Sequence, residues 1–290
     1  MGDLVALRAH LEALGNVVVA FSGGCDSALL AWAANDVLGP RRSLAVTAVS
    51  ASLSRSALED CRALAGEWGL NYLEVETHED ARPGYVANGA DRCWHCKDEL
   101  MRCLAPVAAQ VGAASDAGGA GEASEGGGAA TVVLGVNLDD LGDHRPGQAA
   151  ARDWGAVFPL VEAALTKADV RQVSRALGLR TWDKPAAACL ASRLPYGTPV
   201  SIGTLGQVAE AEAGLGALGF RAVRVRHYGD MARVELPLAD LERALARRDE
   251  VVSAVKTAGY RYVTLDMEGL RSGNLNGALK LGQARLEVGT

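Results

Sequence analysis

The chain has 290 residues, 49% of them hydrophobic, so it can bury a substantial core and is long enough for two domains. Its formal net charge of −6 argues against a large nucleic-acid-binding surface. We find no apolar run that could span a bilayer, and the N-terminus does not resemble a signal peptide. We therefore expect a cytoplasmic protein that binds neither nucleic acid nor a membrane.

The N-terminal two thirds of the chain alternate short apolar strands with helices. This alternation predicts a doubly wound α/β sheet whose ligands bind at the carboxyl ends of the strands. The segment 113–130 contains almost only Gly, Ala, Ser and acidic residues, which predicts a flexible surface insert. The predicted strands are 17–20, 44–49, 71–75 and 131–136, and the predicted helices are 4–14, one opening at 28, 55–68, 98–110 and 167–178.

A different pattern begins near residue 200 and predicts a smaller C-terminal α+β domain. Its elements in order are helix 201–218, strand 221–228, strand 231–236, helix 238–257 and strand 260–266. Gly229-Asp230 has the composition of a two-residue hairpin turn. Such a turn pairs Arg224 with Glu235 and Arg226 with Arg233 across the two strands. We place the domains at 1–198 and 199–290.

The segment Ser22-Gly23-Gly24-Cys25-Asp26-Ser27 joins the first strand to a helix. Backbone N–H groups converge where a tight glycine turn meets a helix N-terminus, and the helix dipole adds positive potential. This geometry favours binding of an oxyanion, although an ordinary capped turn has the same composition. The sequence of this segment lacks the Gly-Lys-Ser/Thr ending of a Walker loop and resembles the PP-loop of ATP pyrophosphatases. The resemblance implies that ATP binds at Ser22, Gly23, Gly24, Asp26 and Ser27, with Asp26 helping to hold magnesium pyrophosphate.

The six cysteines fall into two groups. Cys25, Cys61 and Cys103 have apolar or helical neighbours, so a buried thiol is expected, although the position of Cys25 in the loop leaves a reactive role open. Cys93 and Cys96 form a C-x-x-C motif, which serves zinc, redox and iron–sulfur sites. Cys189, in a proline-bounded polar loop, is the third candidate thiol. Three thiolates would hold three irons of a cubane cluster and leave the fourth iron open.

Several polar residues are further candidates for ligand binding. Arg224, Arg226 and Arg233 share one strand face, which suits either a phosphate clamp or a solvated hairpin. Arg193, in the cysteine loop, is a candidate for an anionic ligand. Asn137 with Asp139 and Asp140 follows a strand, where these side chains face a nucleotide or metal, or cap the next helix.

Five motifs together resemble the LarE family of ATP-dependent sulfur transferases, which serve nickel-pincer cofactor synthesis. They are Ser22–Ser27, Cys93-Trp94-His95-Cys96-Lys97, Ala188–Gly197, Arg224–Pro237 and Tyr260–Asp266. The resemblance implies that the carboxylates of pyridinium-3,5-biscarboxylic acid mononucleotide are adenylated and then converted to thiocarboxylates. It also implies a homo-oligomer, a sulfide donor, and roles at the substrate and phosphate site for Lys97, Ser192, Arg193, Arg224, Arg226 and Glu235.

The family uses two sulfur sources. Some members sacrifice one loop cysteine, and others hold a [4Fe-4S] cluster on three cysteines. Cys93, Cys96 and Cys189 resemble the cluster type, while Cys189 as a sacrificial donor stays the alternative. A tRNA thiolase of the same superfamily is a second alternative, which the acidic net charge disfavours.

Overall fold

The computed structural model describes residues 2–117, 129–142, 146–185 and 188–271. Most of the predicted insert, 118–128, lies outside the described residues. The elements in chain order are α1 (Gly2–Leu14), β1 (Val17–Ala20), α2 (Cys25–Leu38), β2 (Ser43–Val49), α3 (Arg55–Glu67), β3 (Tyr72–Glu76), α4 (Pro83–Val86), α5 (Arg92–Ala117), β4 (Thr131–Leu134), α6 (Pro146–Asp153), α7 (Pro159–Glu162), α8 (Lys167–Ala176), α9 (Ile202–Ala217), β5 (Arg224–Tyr228), β6 (Met231–Glu235), α10 (Leu241–Ala246), α11 (Arg248–Thr257) and β7 (Tyr262–Leu265).

The chain packs as two compact units. The first comprises residues 1–79 and 93–187, and the second comprises residues 80–92 and 188–290. The short segment 80–92 therefore packs with the C-terminal part of the chain, although it lies far from it in sequence. The predicted domain boundary after residue 198 stays a prediction.

The first unit contains a parallel four-stranded sheet in the order β3-β2-β1-β4. Val17 and Val19 of β1 belong to a core shared with α1, α2 and α8, whereas Val18 belongs to a second core shared with α5. Successive strand residues point to opposite faces, so this division shows that the sheet is covered on both sides. The predicted doubly wound α/β fold is confirmed. The phosphate loop leaves β1 where the strand order reverses, which is where such sheets bind ligands.

The second unit contains a three-stranded sheet in the order β5-β6-β7. β5 and β6 are antiparallel and β6 and β7 are parallel. Arg224 faces Glu235 and Arg226 faces Arg233, so the predicted hairpin register is confirmed. Gly229 in the turn has φ of +63°, which a two-residue hairpin turn needs. α9 and α11 contribute apolar residues to the core on this sheet, which confirms the additional small sheet expected near the C-terminus.

Several predicted boundaries are wrong. α5 begins at Arg92 and not at 98, so the C-x-x-C motif lies in the first two turns of the helix. α5 also continues to Ala117, into the segment predicted as a surface insert. The predicted helix 238–257 divides into α10 and α11, and α4, α6 and α7 were not predicted. Short helices that begin at a proline carry too few residues to show a helical period.

The end of β4 touches the first turn of α2. A β-carbon on Gly135 would lie 2.7 Å from the backbone nitrogen of Ser27, which is closer than real β-carbons approach. We expect Gly135→Ala to lower the free energy of unfolding by about 1–3 kcal/mol, measured by urea denaturation, because the phosphate loop must move. Gly66→Ala in α3, which meets nothing within 4 Å, is the control and should be neutral or stabilising. Equal stability of Gly135→Ala and the parent would contradict the close contact.

Candidate active site

The phosphate loop is shaped by bonds between its own residues. Ser27 Oγ accepts the N–H of Ser22 at 3.2 Å and donates to the carbonyl of Gly24 at 3.2 Å. The hydroxyls of Ser22 and Ser27 are 3.0 Å apart. Ser22 and Ser27, both predicted to bind ATP, therefore stabilise the turn by hydrogen bonds within the loop. Gly23 adopts φ of +64°, which an L residue rarely adopts.

The N-terminus of α2 provides the positive end of this loop. No side chain caps it, and its capping position is Gly24 in an extended conformation. The first N–H groups of an α-helix have no partner within the helix, so they remain available to an anion. The described geometry therefore matches the oxyanion cradle predicted for Ser22–Ser27.

Asp26 lies at the centre of a charged group beside the loop. Its carboxylate accepts hydrogen bonds from Asn137 Nδ2 at 3.1 Å and from Lys167 Nζ at 2.5 Å. Asn137 is only 1% exposed, so it holds the carboxylate in a fixed direction. A carboxylate aimed by a buried amide is suited to a metal ligand, and the neighbouring ammonium is suited to a phosphate.

Lys167 is a site residue that the sequence pattern did not reveal. It is the first residue of α8, where Thr166 and Asp169 form a capping box. Asp139 accepts the backbone N–H of Lys167 at 2.9 Å, so it helps to cap α8. The capping box was visible in the sequence, but the direction of the Lys167 side chain depends on how α8 packs on α2.

Lys184 also reaches the phosphate loop. Its ammonium donates to the carbonyl of Gly23 at 2.8 Å and forms an ion pair with Asp60. In the sequence Lys184 is only the start of the proline-bounded loop, and nothing in its neighbours indicated this contact.

Cys93, Cys96 and Lys97 lie in the first two turns of α5. Cys93 is exposed and Cys96 is partly buried. Residues three apart lie on one face of a helix, so both thiols are presented on the same side. α6 packs closely here, since a β-carbon on Gly147 would lie 2.8 Å from Lys97 Cγ and 2.9 Å from the Cys93 carbonyl.

Cys189 is an exposed thiol at the start of a short 3₁₀ helix, Leu190–Arg193, in the second unit. Arginines hold the carbonyls of this loop. Arg193 donates to the carbonyl of Ala188 at 2.7 Å and to Ser192 Oγ at 3.1 Å. Arg226 donates to the carbonyl of Ser192 at 2.7 Å. Two arginines predicted to bind substrate therefore also shape the cysteine loop.

The segment 80–92 holds the same loop from another direction. Arg92 is 5% exposed and donates to the carbonyl of Ala191 at 2.8 Å. The fully buried Asn88 donates to the carbonyls of Pro195 and Thr198, both at 2.8 Å. Asn88 has φ of +54°, and Asn accepts this conformation more readily than most residues. The residue that directly precedes Cys93 is thus bonded to the loop that carries Cys189.

The hairpin arginines have different surroundings. Glu235, which is fully buried, accepts Arg226 at 2.9 Å and Arg233 at 3.0 Å. Arg193 makes a two-pronged contact with Glu212, at 2.8 and 3.0 Å. Burial lowers the pKa of the Arg224 guanidinium, and the nearby charges of Arg193 and Arg226 lower it further. Guanidinium groups that lie close together repel one another, and an anion bound among them would reduce this repulsion.

Two further thiols flank the phosphate loop. Burial raises the pKa of the Cys25 thiol, with Lys167 as the largest opposing charge. Burial also raises the pKa of the Cys61 thiol.

Among residues 2–117, 129–142, 146–185 and 188–271, no three His, Cys, Asp or Glu side chains lie close enough together to form a set of metal ligands. In the same ranges, no helix is long and apolar enough to cross a membrane.

A phosphate-binding glycine turn after the first strand of a doubly wound sheet, with an oriented aspartate beside it, defines a PP-loop ATP pyrophosphatase. Consistent with this class, the NAD synthase family profile matches residues 6–85. The chain is 37% identical to the pyridinium-3,5-bisthiocarboxylic acid mononucleotide synthase of Lactiplantibacillus plantarum, covering 96% of this chain and 95% of that protein. It is 42% identical to an uncharacterised protein of Synechocystis sp., over 94% of this chain and 96% of the relative. An uncharacterised protein of Methanocaldococcus jannaschii is 24% identical over 88% of this chain and 91% of its own length.

The chain belongs to the LarE family of ATP-dependent sulfurtransferases, as its motifs predicted. Enzymes with this loop use ATP together with Mg²⁺. The oxygen ligand that such an ion prefers is present at Asp26, because its carboxylate lies beside the loop.

The exposure of the cysteines predicts their reactivity. In metal-free protein near neutral pH, iodoacetamide should modify Cys93 and Cys189 first, because both are exposed. Cys25 and Cys61 should react last, because burial raises the pKa of both thiols. Peptide mass spectrometry over a time course gives the order. Early modification of Cys25 would contradict its burial in the structure.

The Arg226–Glu235 ion pair predicts a large stability effect. Arg226→Met should lower the free energy of unfolding by about 3 kcal/mol, because it leaves the buried Glu235 carboxylate with less compensation. Arg224→Met is the matched control on the same strand and should change it by less than about 1 kcal/mol. Urea denaturation measures both.

The double variant Arg226→Met/Glu235→Leu tests the cause. Removing both charges should recover part of the lost stability. A double variant that is less stable than Arg226→Met alone would show that the loss has another origin.

Proposed function

We propose that this enzyme converts the carboxylates of pyridinium-3,5-biscarboxylic acid mononucleotide into thiocarboxylates. The observation that carries this proposal is an oriented Asp26 beside an uncapped phosphate loop, in a chain that matches the Lactiplantibacillus synthase over nearly its whole length. The name of that relative describes a thiocarboxylate product.

The first step activates a carboxylate. Its oxygen attacks the α-phosphorus of ATP, a new P–O bond forms, and the bond to the bridging oxygen of pyrophosphate breaks. Asp26 would hold a magnesium ion, which when bound would supply positive charge for the leaving pyrophosphate. The loop N–H groups and Lys167 are suited to hold the same pyrophosphate, because they present positive charge around Asp26.

The second step transfers sulfur. A sulfur nucleophile attacks the carbonyl carbon of the acyl adenylate, a C–S bond forms, and the C–O bond to AMP breaks. AMP leaves with the electron pair as a stabilised phosphate, whereas an unactivated carboxylate has no such leaving group. Adenylation is therefore required before transfer.

We propose Arg224 and Ser192 of the second unit for the substrate phosphate, and Lys97 keeps the substrate role that the family resemblance implies. Burial lowers the pKa of the Arg224 guanidinium and the charges of Arg193 and Arg226 lower it further, and a bound phosphate would compensate both effects. Arg193, Arg226 and Glu235 serve the site by holding the Cys189 loop in shape.

We propose Cys93, Cys96 and Cys189 as ligands of a [4Fe-4S] cluster. Thiolates are the natural ligands of such clusters, and none of the three cysteines forms a disulfide. The grouping follows the resemblance of these three cysteines to those of the cluster-type members. When bound, such a cluster would supply an open iron for an external sulfide. The alternative source is the sulfur of Cys189 itself.

We also propose that the enzyme works in the cytoplasm as a homo-oligomer and takes its sulfur from a small sulfide donor. These proposals follow the family resemblance. The acidic net charge supports a small-molecule substrate over a tRNA, since an RNA surface needs basic groups.

The test combines pyrophosphate release, thiocarboxylate formation and protein mass in anaerobic protein. Cys93→Ala, Cys96→Ala and Cys189→Ala should each keep pyrophosphate release and lose iron together with repeated sulfur transfer. Asp26→Asn is the control for the first step and should lose pyrophosphate release while keeping its iron.

Each alternative gives a different result. A sacrificial Cys189 requires wild-type protein to lose the mass of hydrogen sulfide after one turnover, with Cys93→Ala fully active. Pyrophosphate release that depends on tRNA instead of the pyridinium mononucleotide would overturn the substrate assignment.

A further inference from the structure

Lys184 bonds to the backbone of the phosphate loop itself. Its ammonium donates to the carbonyl of Gly23 at 2.8 Å, and Asp60 on α3 accepts a second bond from the same nitrogen. Arg180 donates to the other Asp60 oxygen at 2.7 Å. The Lys184 side chain is 26% exposed, so the contact lies largely below the surface.

The backbone that carries Lys184 is fixed in place by α8. Arg171 donates to the carbonyl of Trp182 at 2.9 Å and to the carbonyl of Lys184 at 3.0 Å. The Lys184 N–H also closes a turn onto Thr181 at 3.1 Å. An anchored backbone gives the ammonium a defined position, which a surface lysine lacks.

The bond to the Gly23 carbonyl has a consequence for the next N–H group. In a trans peptide the C=O and N–H point in opposite directions. Lys184 draws the Gly23 carbonyl to one side, so the N–H of Gly24 is turned to the other. Within the described residues, the Gly24 N–H has no acceptor. It therefore adds one more free donor to those of the first turn of α2.

We propose that Lys184 is a positioning residue for the phosphate loop, fixing the Gly23–Gly24 peptide so that the Gly24 N–H binds the pyrophosphate part of ATP. Lys184 thereby acts through the backbone and not by touching phosphate. The inference rests on the adenylation step of the proposed function and names a residue outside the motif that this step uses.

The contacts of Asp60 distinguish a positioning role of Lys184 from direct binding of phosphate by Lys184. Burial alone would raise the pKa of the Asp60 carboxyl, but hydrogen bonds from Lys184 and Arg180 hold the pKa below its ordinary value. Asp60 is therefore a carboxylate that keeps the ammonium under the Gly23 carbonyl. If Lys184 instead bound phosphate directly, Asp60 would compete with the ligand, and its removal would tighten binding.

The experiment measures binding of magnesium pyrophosphate and of AMP to the full-length protein by calorimetry. Lys184→Met should weaken pyrophosphate binding about tenfold and leave AMP binding within about twofold, because AMP lacks the phosphates that the loop holds. Asp60→Asn should weaken pyrophosphate binding in the same direction. Lys184→Arg should retain part of the affinity, since it keeps a donor for the carbonyl.

Arg180→Gln is the matched control, because it removes an Asp60 partner without touching Gly23, and it should stay within about twofold of the parent. Tighter pyrophosphate binding in Asp60→Asn would overturn the proposal in favour of direct contact. Equal losses for pyrophosphate and AMP in Lys184→Met would overturn it in favour of a general structural role. Parental affinity in Lys184→Met would also overturn it. Failure of the parent to bind pyrophosphate would instead count against the phosphate loop assignment.

Discussion

The glycine turn between β1 and α2 is the constraint on which the rest of the first unit depends. Gly23 must adopt positive φ, and a β-carbon there would lie 2.9 Å from Cys61 Sγ. Gly135, directly after β4, packs closely against the backbone of Ser27 in the same turn. Close packing of this kind leaves the loop little room to rearrange, which favours donors that are oriented before an anion binds. Preorganised donors stabilise developing charge without a cost of reorganisation.

Charge around the loop is arranged in complementary pairs. Asp26 is matched by Lys167, and Asp60 by Lys184 and Arg180. Such pairs stabilise the protein when no nucleotide is bound and leave charge of both signs for magnesium and phosphate. Asn137, which follows β4, orients the Asp26 carboxylate by donating a hydrogen bond to it.

The second unit uses arginines to build a loop rather than only to bind a ligand. Carbonyls of the Cys189 loop accept from Arg92, Arg193 and Arg226. A loop whose regular structure is one short 3₁₀ helix leaves several carbonyls without backbone partners, and guanidinium groups satisfy them here. The same arginines that the sequence indicated as ligand-binding candidates thereby shape the Cys189 loop.

The sequence by itself determined the parallel sheet, the hairpin register and the phosphate loop, because these follow from local apolar periods and turn composition. It also indicated the family, since each of the five motifs is an uninterrupted stretch of sequence. Only the tertiary structure decided that Lys167 and Lys184 reach the loop, since their partners Asp26 and Gly23 are 141 and 161 residues away. The same holds for Arg92 and Ala191, 99 residues apart. Local sequence sets backbone conformation, but side-chain direction across such separations is set by packing.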